Sequence, residues 1–349
     1  MNKVVLNWLG MAMVFLLATA YLWVTFEDPM KDHLHFGDKH LHLIEPGSKD
    51  RVDDTELIEP IPPLSLTVEQ MPAIQLGKQL FMDPNLSSNQ QVSCESCHHI
   101  YSDGAEESKV SVGVNGAGAR NSPTVFNVAY NTRFFWDGRA ASLSEQIDGP
   151  LHNPLEMNTN WQDVLLYVNS VESYRDQFQS AFDGQMTKET VKAALVAFMR
   201  ALDTPNAPFD QYLRGDENAL NPAAKVGWQK FKSLGCVVCH QGQNIGGNLF
   251  QRFGHLDNTY AQSDQDLGRY NVTGQEQDRR VFRVASLRNV AETAPYFHDG
   301  RAETLEEAIM IMAQVQLGYE LEADSIIEIS AFLRALSAPP PPVLKELAQ

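Results

Sequence analysis

The sequence predicts a mainly α-helical protein made of two tandem halves of similar structure. The chain repeats itself: residues 135–140 (FWDGRA) resemble residues 297–302 (FHDGRA). A second repeat lies later in each half, where residues 197–202 (AFMRAL) resemble residues 331–336 (AFLRAL). Alternation between apolar and polar residues is the pattern of a half-buried strand. Few stretches of this chain show it. Together, these features favour two tandem helical domains.

Each half also has a helical pattern of apolar residues before a pair of cysteines. The pattern covers residues near 68–81 in the first half and near 223–231 in the second. The match between residues 127–129 and 289–291, both NVA, extends the repeat upstream. The predicted order in each half is therefore helix, cysteine pair, loop, D-G-R-A motif, helix and closing helix. Loops this long are unusual in a compact domain, but a large buried cofactor can order them.

Length and composition limit the number of domains, and net charge bears on the kind of partner. The chain has 349 residues, of which 43% are hydrophobic, enough for one or two domains with hydrophobic cores. The formal net charge of −17 argues against nucleic acid, because phosphate binding needs a basic surface. The charge favours a partner with a basic face, through long-range attraction. A solvated acidic surface without such a partner is the alternative, and composition does not separate the two.

Residues 4–26 form a nearly continuous apolar stretch. About 20 apolar residues span a bilayer as a helix, so this segment is predicted to be a transmembrane anchor. Lys3 precedes it and two acidic residues follow it, which favours export of the remaining chain. The alternative is a cleaved signal peptide, with residues 18–20 (ATA) as the cleavage site. Both predict a periplasmic protein, either anchored to the inner membrane or soluble.

Residues 27–66 are predicted to be a linker, because they are charged, contain several prolines and lack periodicity. This segment contains four histidines: His33, His35, His40 and His42. A metal-binding tract is one interpretation. A solvated linker is the simpler one, because no cysteine or carboxylate spacing completes a recognisable site.

The four cysteines form two C-x-x-C pairs, and a histidine follows each pair: residues 94–98 are CESCH and residues 236–240 are CVVCH. C-x-x-C-H is the attachment motif of c-type haem. In this motif the thiols bind the porphyrin vinyl groups and the histidine ligates the iron. The residues concerned are Cys94, Cys97, His98, Cys236, Cys239 and His240. Structural zinc or disulfides also use cysteine pairs, but two complete motifs in matching halves favour two covalently attached haems.

These motifs complete the predicted fold: two tandem cytochrome c-like haem domains with long ordered loops, preceded by an N-terminal transmembrane helix. The first domain is assigned to residues 67–210 and the second to residues 211–338, and residues 339–349 form a tail. The second face of each iron sets its function, because methionine raises the potential and an open face suits ligand activation. Met310 and Met312 follow the second D-G-R-A motif, whereas their counterpart in the first half has no methionine until Met157.

Four stretches carry a family resemblance: residues 76–81 (LGKQLF), 120–124 (RNSPT), 135–140 and 293–298 (TAPYFH). They resemble the bacterial di-haem cytochrome c peroxidases, a family that includes the enzyme maturing a tryptophan-derived cofactor in methylamine utilisation. The resemblance covers residues 76–337. It implies a peroxidatic N-terminal haem and a high-potential C-terminal haem that receives electrons.

The resemblance also implies roles for individual side chains. Met312 matches the methionine that binds the C-terminal iron, while Met310 is expected to pack in the core. Glu156 would move a proton between the two peroxide oxygens, and Gln146 would donate a hydrogen bond to developing charge. Trp136 matches a tryptophan between the haems, where it can carry the electron and also pack as a core aromatic.

The family binds a calcium ion between its domains. The matching ligands are the side chain of Asn121 and the main-chain carbonyl groups of Thr293 and Pro295. Oxygen ligands of this kind suit calcium, so the resemblance implies one calcium ion. The sequence does not show that these oxygens converge.

One position departs from the family pattern. Many members block the resting N-terminal iron with a distal histidine, and this chain has Val114 at that position. His99 adjoins the proximal ligand and cannot easily reach the opposite face. His152 is a remote candidate, although it aligns with a position that is not a ligand in the family. We hypothesise a five-coordinate or water-bound N-terminal haem that needs no reductive activation.

The predicted function is reduction of hydrogen peroxide to water with electrons from a small redox protein, such as a basic cytochrome c or a blue copper protein. A non-catalytic electron-transfer cytochrome is the first alternative, against which Glu156 and Gln146 argue. An enzyme that oxidises a side chain of a partner protein is the second. The family member that matures the tryptophan-derived cofactor has tyrosine at the position of Met312. The methionine in this chain therefore argues against such an activity. The sequence leaves the donor and the oligomeric state open, including a homodimer.

Overall fold

The computed structural model describes residues 58–257 and 266–348. The predicted membrane anchor, the four linker histidines and most of the linker lie outside these residues. Within the two described ranges, no helix is both long enough and apolar enough to span a bilayer.

The first half is mainly helical. Its helices are α1 (Met71–Met82), α2 (Leu143–Gln146), α3 (Asp148–His152), α4 (Trp161–Ser170), α5 (Glu172–Phe182), α6 (Lys188–Arg200) and α7 (Pro208–Leu213). Short 3-10 turns lie at Pro84–Leu86 and Val128–Tyr130. A two-stranded antiparallel hairpin consists of β1 (Val112–Gly113) and β2 (Gly116–Ala117).

The second half repeats this organisation. Its helices are α8 (Pro222–Ser233), α9 (Tyr270–Thr273), α10 (Leu305–Met312), α11 (Ala323–Arg334) and α12 (Val343–Glu346). A π-helical turn, Ala313–Leu317, follows α10, and 3-10 turns lie at Cys236–Val238, Glu276–Asp278 and Val290–Glu292. Strand β3 (Phe250–Arg252) pairs antiparallel with β4 (Val281–Arg283). The predicted mainly helical fold is confirmed, including the helix that precedes each cysteine pair.

A glycine lies at the main helix crossing in each half. A Cβ atom on Gly77 of α1 would lie 2.0 Å from the carbonyl oxygen of Ala194 in α6. In the second half, a Cβ on Gly227 of α8 would lie 1.8 Å from the carbonyl oxygen of Glu328 in α11. Any side chain would push the two backbones apart, so glycine permits this close contact. The same crossing therefore closes both halves.

The helix that follows each D-G-R-A motif begins with the same cap. Ser142 accepts a hydrogen bond from the N–H of Glu145, and Thr304 accepts one from the N–H of Glu307. The Glu145 carboxylate in turn accepts from the N–H of Ala141 at 2.8 Å. Such reciprocal bonds satisfy N–H groups that a helix leaves unpaired at its start. They fix the path of the chain from the motif into α2 and α10.

Each half has its own hydrophobic core, and the ends of the described chain cross between them. Ile58, from the predicted linker, packs in the core of the second half. Ile61 is also buried, and its N–H donates to the carboxylate of Asp210 at 3.0 Å. Val343 and Leu344, from the predicted tail, pack in the core of the first half. Part of the predicted linker, which precedes the first half, thus packs in the second half, and part of the tail, which follows the second half, packs in the first. The boundary between residues 210 and 211 stays a prediction.

Candidate functional site

The two C-x-x-C-H motifs adopt the same tight turn. In the first, the N–H groups of Cys97 and His98 donate to the carbonyl oxygen of Cys94 at 3.2 and 3.0 Å. The second motif repeats both hydrogen bonds, to Cys236, at the same distances. Each turn therefore presents two thiols and an imidazole on one short segment, as attachment of one c-type haem requires.

The preceding helix positions each histidine through a phenylalanine. The ring centroids of Phe81 and His98 are 6.4 Å apart, and those of Phe231 and His240 are 6.3 Å apart. Both phenylalanines are buried in helices that lead to the cysteine pairs. The repeat thus extends from sequence to the packing around each imidazole.

The two imidazoles suit a metal-ligand role. Among the described residues, Nδ1 of His98 and Nδ1 of His240 are buried and have no hydrogen-bond partner. Burial lowers the pKa of each ring to about 4, although nearby main-chain carbonyl groups oppose this shift. Both rings are therefore neutral at neutral pH, and neutral imidazole is the form that ligates iron.

No disulfide joins any of the four cysteines, all of which belong to the described residues. Burial raises the pKa of Cys94 and Cys97 to about 12 and that of Cys236 to about 11. In the part of the chain that the structure describes, no group of three His, Cys, Asp or Glu side chains is arranged to hold a metal ion.

A cavity of about 240 Å³ lies beside His240. Cys236 and Cys239 border it, and most of its other lining residues are apolar. Met312 borders the same cavity, so an imidazole nitrogen and a thioether sulfur both belong to its wall. An apolar cavity with two thiols and this pair of donors fits a covalently attached haem.

The two methionines of α10 lie in different surroundings. Met312, the last residue of α10, borders the cavity and precedes the π-helical turn. Met310 is 45% exposed, so the prediction that it packs in the core is wrong. Its neighbours Ile309 and Ile311 are buried, which directs residue 310 toward solvent. Turns of the π type often occur at functional sites, and this one adjoins the predicted ligand.

Glu156 is half-buried beside the first cysteine pair. Nδ2 of Asn153 donates to Oε1 of Glu156 at 2.6 Å. Burial raises the pKa of Glu156, while this hydrogen bond and the charge of Arg139 oppose the shift. The charge of Glu156 in turn contributes to the raised pKa values of Cys94 and Cys97. The carboxyl group therefore lies within electrostatic reach of both thiols.

Gln146 ends α2, and a single residue, Ile147, separates it from the start of α3. The segment that it belongs to is packed against the D-G-R-A motif: a Cβ on Gly149 would lie 2.4 Å from Cζ of Phe135. The guanidinium of Arg139 stacks on the ring of Phe135 at 3.5 Å. These contacts hold the start of α3 against Phe135, next to Arg139, whose charge reaches Glu156.

The hairpin that carries Val114 is docked on the segment around Glu156. The N–H of Val114 donates to the carbonyl oxygen of Glu156 at 2.8 Å. A Cβ on Gly113 would lie 2.1 Å from the carbonyl oxygen of Leu155, so glycine permits this close approach. Nδ1 of His152 lies 3.2 Å from the carbonyl oxygen of Thr159.

Trp136 connects the two halves. Its Nε1 donates to the carbonyl oxygen of Asn121 at 2.9 Å, and its ring packs against the core of the second half. The ring also borders the cavity beside His240. A residue of the first motif thus forms part of the second haem position.

The predicted calcium ligands lie on two segments that a hydrogen bond joins. The N–H of Asn121 donates to the carbonyl oxygen of His298 at 2.8 Å, and its Nδ2 donates to Ser108 at 3.0 Å. Thr293 and Pro295 lie on the segment that leads to His298, and the peptide bond before Pro295 is cis. The structure therefore brings the two segments together.

Sequence reasoning missed an ionic network between the halves. Arg120 forms ion pairs with Asp137 and Asp266, each at 2.6 Å. Burial alone would raise the pKa of Asp266, but the hydrogen bonds and charge of Arg120 hold it below its ordinary value. Asp137 also pairs with Arg139 at 2.7 Å. The repeated motif marked Asp137 and Arg139, and the family resemblance included Arg120. No pattern marked Asp266 or paired it with Arg120.

Several known proteins are similar to this chain. A family model described as di-haem cytochrome c peroxidase matches residues 71–218. The cytochrome c551 peroxidase of Nitrosomonas europaea is 41% identical over 286 residues, which cover 81% of this chain and 85% of that protein. The cytochrome c551 peroxidase of Pseudomonas aeruginosa is 41% identical over 297 residues, covering 82% and 86%. The crystal structure of a MauG-like protein associated with microbial copper homeostasis matches with a TM-score of 0.71 and 27% identity, covering 80% and 94%.

Proposed function

Because the chain belongs to the di-haem cytochrome c peroxidase family, we propose that it reduces peroxide in its first half with electrons that enter through its second. It is a cytochrome-c peroxidase that binds two haems and takes hydrogen peroxide as its substrate. The overall reaction consumes one peroxide, two electrons and two protons and yields two waters.

The contrast between the two haem positions carries this division of labour. Met312 borders the cavity beside His240, so the second position has both an imidazole and a thioether. The first position has a half-buried carboxyl, Glu156, within reach of its thiols, and its nearby hairpin presents Val114, which cannot bind iron. A methionine-ligated haem suits electron transfer and an open one suits peroxide.

The two C-x-x-C-H motifs support covalent attachment of both haems. Cys94 and Cys97 would hold one haem with His98 as its proximal ligand. Cys236 and Cys239 would hold the other, with His240 and Met312 as its axial ligands. A bound haem supplies the iron at which the peroxide O–O bond is cleaved and stores electrons between turnovers.

Glu156 is proposed to move the proton that cleavage requires. Its carboxylate would accept a proton from one peroxide oxygen and return it to the other, so that water leaves. Asn153 holds Oε1 of this carboxylate at 2.6 Å, which orients the group before substrate binds. Gln146 would donate a hydrogen bond to the charge that develops on the departing oxygen.

Trp136 is proposed to lie on the electron path between the haems. Its indole is held by the first half through Asn121 and borders the cavity of the second. An aromatic ring fixed in this way provides both packing and a route for the electron.

The first haem is proposed to be open or water-bound in its resting state. The hairpin at the position of the family's blocking histidine carries no histidine, and His152 is held by Thr159. The resting enzyme would then need no reductive activation, as its ferric spectrum can test.

One calcium ion is proposed between the two halves, bound by Asn121, Thr293 and Pro295. Because Nδ2 of Asn121 donates to Ser108, Oδ1 is the atom left for a cation. Calorimetric titration of chelator-treated protein is expected to give one calcium site that is lost in Asn121→Leu. Unchanged binding in that variant would exclude these ligands.

The donor and the location are proposed from charge and from the N-terminal stretch. A net charge of −17 favours a small donor with a basic face, such as a cytochrome c or a blue copper protein. Reduction by such a donor should slow as ionic strength rises, and an unchanged rate would argue against it.

The apolar stretch at 4–26 supports a periplasmic enzyme anchored to the inner membrane. Extraction of the full chain by salt alone, without detergent, would rule out the anchor.

Mixing the reduced haem-loaded protein with peroxide tests the function itself. We expect both haems to reoxidise rapidly, because electrons from the second half refill the first. A non-catalytic electron-transfer cytochrome would stay reduced on this timescale. An enzyme that oxidises a partner's side chain would need a low-potential second haem, against which Met312 argues.

A further inference from the structure

Arg283 is a buried cation that lacks a carboxylate partner. It is 5% exposed, and among the described residues it forms no ion pair. Its side chain makes two long hydrogen bonds to main-chain carbonyls: Nε to Phe135 at 3.4 Å and Nη1 to Val284 at 3.5 Å. Burial lowers the pKa of Arg283 to about 10, so it keeps its charge at neutral pH.

A second buried arginine, by contrast, is paired with a carboxylate. Arg288 is as deeply buried as Arg283, but it forms an ion pair with Asp210 at 2.6 Å. Its Nε also donates to Gln243 at 2.9 Å. A buried charge is costly unless it is paired and hydrogen-bonded. The incomplete bonding of Arg283 therefore points to an anion that binds from the cavity.

The position of Arg283 defines which anion this is. Arg283 ends β4 and borders the cavity that also contains His240 and Met312. Its main-chain N–H donates to the carbonyl oxygen of Trp136 at 2.8 Å, which places the residue where the two halves meet. The predicted occupant of this cavity carries two propionate carboxylates, and guanidinium groups bind carboxylates through paired hydrogen bonds.

The internal repeat gives this position a counterpart. Arg283 and Asn121 each lie fourteen residues before the phenylalanine that begins their D-G-R-A segment. Asn121 donates its N–H to His298 just as Arg283 donates its N–H to Trp136. Asn121 is the proposed calcium ligand. The two equivalent positions of the repeat therefore hold a proposed cation site, at Asn121, and a positively charged side chain, Arg283.

We propose that Arg283 binds a propionate of the C-terminal haem and, through its positive charge, raises the midpoint potential of that haem. The inference rests on the proposed haem site beside His240. Charge and hydrogen bonding around a haem are among the terms that set its potential. Arg283 is thus a positioning residue that makes the second haem a better electron acceptor and anchors it next to Trp136.

Potentiometric titration of the haem-loaded protein tests this role without peroxide. In Arg283→Gln, we expect the reduction equilibrium constant of the methionine-ligated haem to fall at least about tenfold, or about 59 mV for one electron. Arg283→Lys keeps a cation and should restore most of the loss. Arg252→Gln is the matched control, because Arg252 lies in the paired strand β3 but not in the cavity wall. Its potential should equal that of the wild type.

An Arg283→Gln protein with both haems attached, methionine ligation intact and an unchanged potential would overturn the inference. If that variant does not fold, a crystal structure of the haem-loaded wild type decides the question. A propionate within hydrogen-bond distance of the guanidinium supports the inference, and a propionate directed away from it refutes it. Neither measurement depends on turnover, so a failure of the proposed peroxidase function would be seen separately.

Discussion

Trp136 and His298 occupy equivalent positions in the two repeated motifs, and their rings meet edge to face. The ring centroids are 6.2 Å apart and the interplanar angle is 68°. Each of these residues accepts a main-chain hydrogen bond from the opposite half, at 2.8 Å: Arg283 donates to Trp136, and Asn121 donates to His298. The reciprocal bonds join the two halves around this contact, so Trp136 is fixed by both.

Replacing Trp136 with phenylalanine should slow electron transfer between the haems. Phenylalanine keeps an aromatic ring but cannot donate to the carbonyl oxygen of Asn121, so stability should fall by about 1 kcal/mol. Stopped-flow absorption, after peroxide has oxidised the reduced enzyme, should show slower transfer from the second haem to the first. Trp161→Phe, which loses a bond to Asp148 in the first half, is a control for the change in stability alone. Equal transfer rates in wild type and Trp136→Phe would remove Trp136 from the path.

The Asn153 side chain should set the acid limb of the pH–rate profile. Glu156 must be ionised to accept a proton, and burial raises its pKa above the ordinary value of 4.5. Activity should therefore fall as the pH drops through this raised pKa. Asn153→Leu removes a hydrogen bond that favours the ionised form, so the acid limb should move up by about one pH unit.

The measurement is the pH dependence of kcat/KM, with Asn169→Leu as a surface control. Asn169 is exposed, and its Nδ2 donates to the carbonyl oxygen of Leu165 in the same helix. An acid limb in Asn153→Leu that stays in place, or moves to lower pH, would show that Glu156 does not titrate in catalysis.

Met312 and Met310 provide a matched pair for the second haem. Met312→His replaces sulfur with nitrogen at the cavity wall, so the potential of that haem should fall by an amount on the order of 0.1–0.3 V. Met310→His places the same group on an exposed side of α10 and should leave the potential unchanged. If the two variants have equal potentials, Met312 is not an iron ligand.

Much of the fold follows from the sequence because the repeat is strong and local. The spacing of apolar residues predicted α1 and α8, and the cysteine motifs fixed the tight turns that carry His98 and His240. Local rules do not reveal contacts between distant segments. The bond between Arg120 and Asp266 joins residues far apart in the chain, and no short pattern specifies such a pair.

The two methionines show a second limit. Helix α10 is apolar on more than one face, because part of it lines a cofactor cavity and part of it packs in the core. Helical spacing therefore could not place Met310, and its predicted burial was wrong.

Arg283 was missed because its burial next to a cavity depends on tertiary packing. Its equivalence to Asn121 in the repeat was the available signal.

The ferric enzyme should contain one high-spin and one low-spin haem. Val114 offers no ligand to the first iron, whereas His240 and Met312 border the cavity of the second. Electron paramagnetic resonance of the fully oxidised protein should show both species, and turnover should begin without a lag. Two low-spin haems, or a lag that only prereduction removes, would falsify the open resting state.

The most direct test of peroxide chemistry at the first haem is steady-state turnover by haem-loaded Glu156→Gln. Glutamine keeps the shape and the contact with Asn153 but cannot shuttle a proton, so turnover should fall about 10²- to 10⁴-fold with both haems retained. Glu189→Gln, on the exposed surface of α6, should match the wild type. Wild-type turnover in Glu156→Gln, with the haem content of the two proteins equal, would contradict the assignment of peroxide reduction to this site.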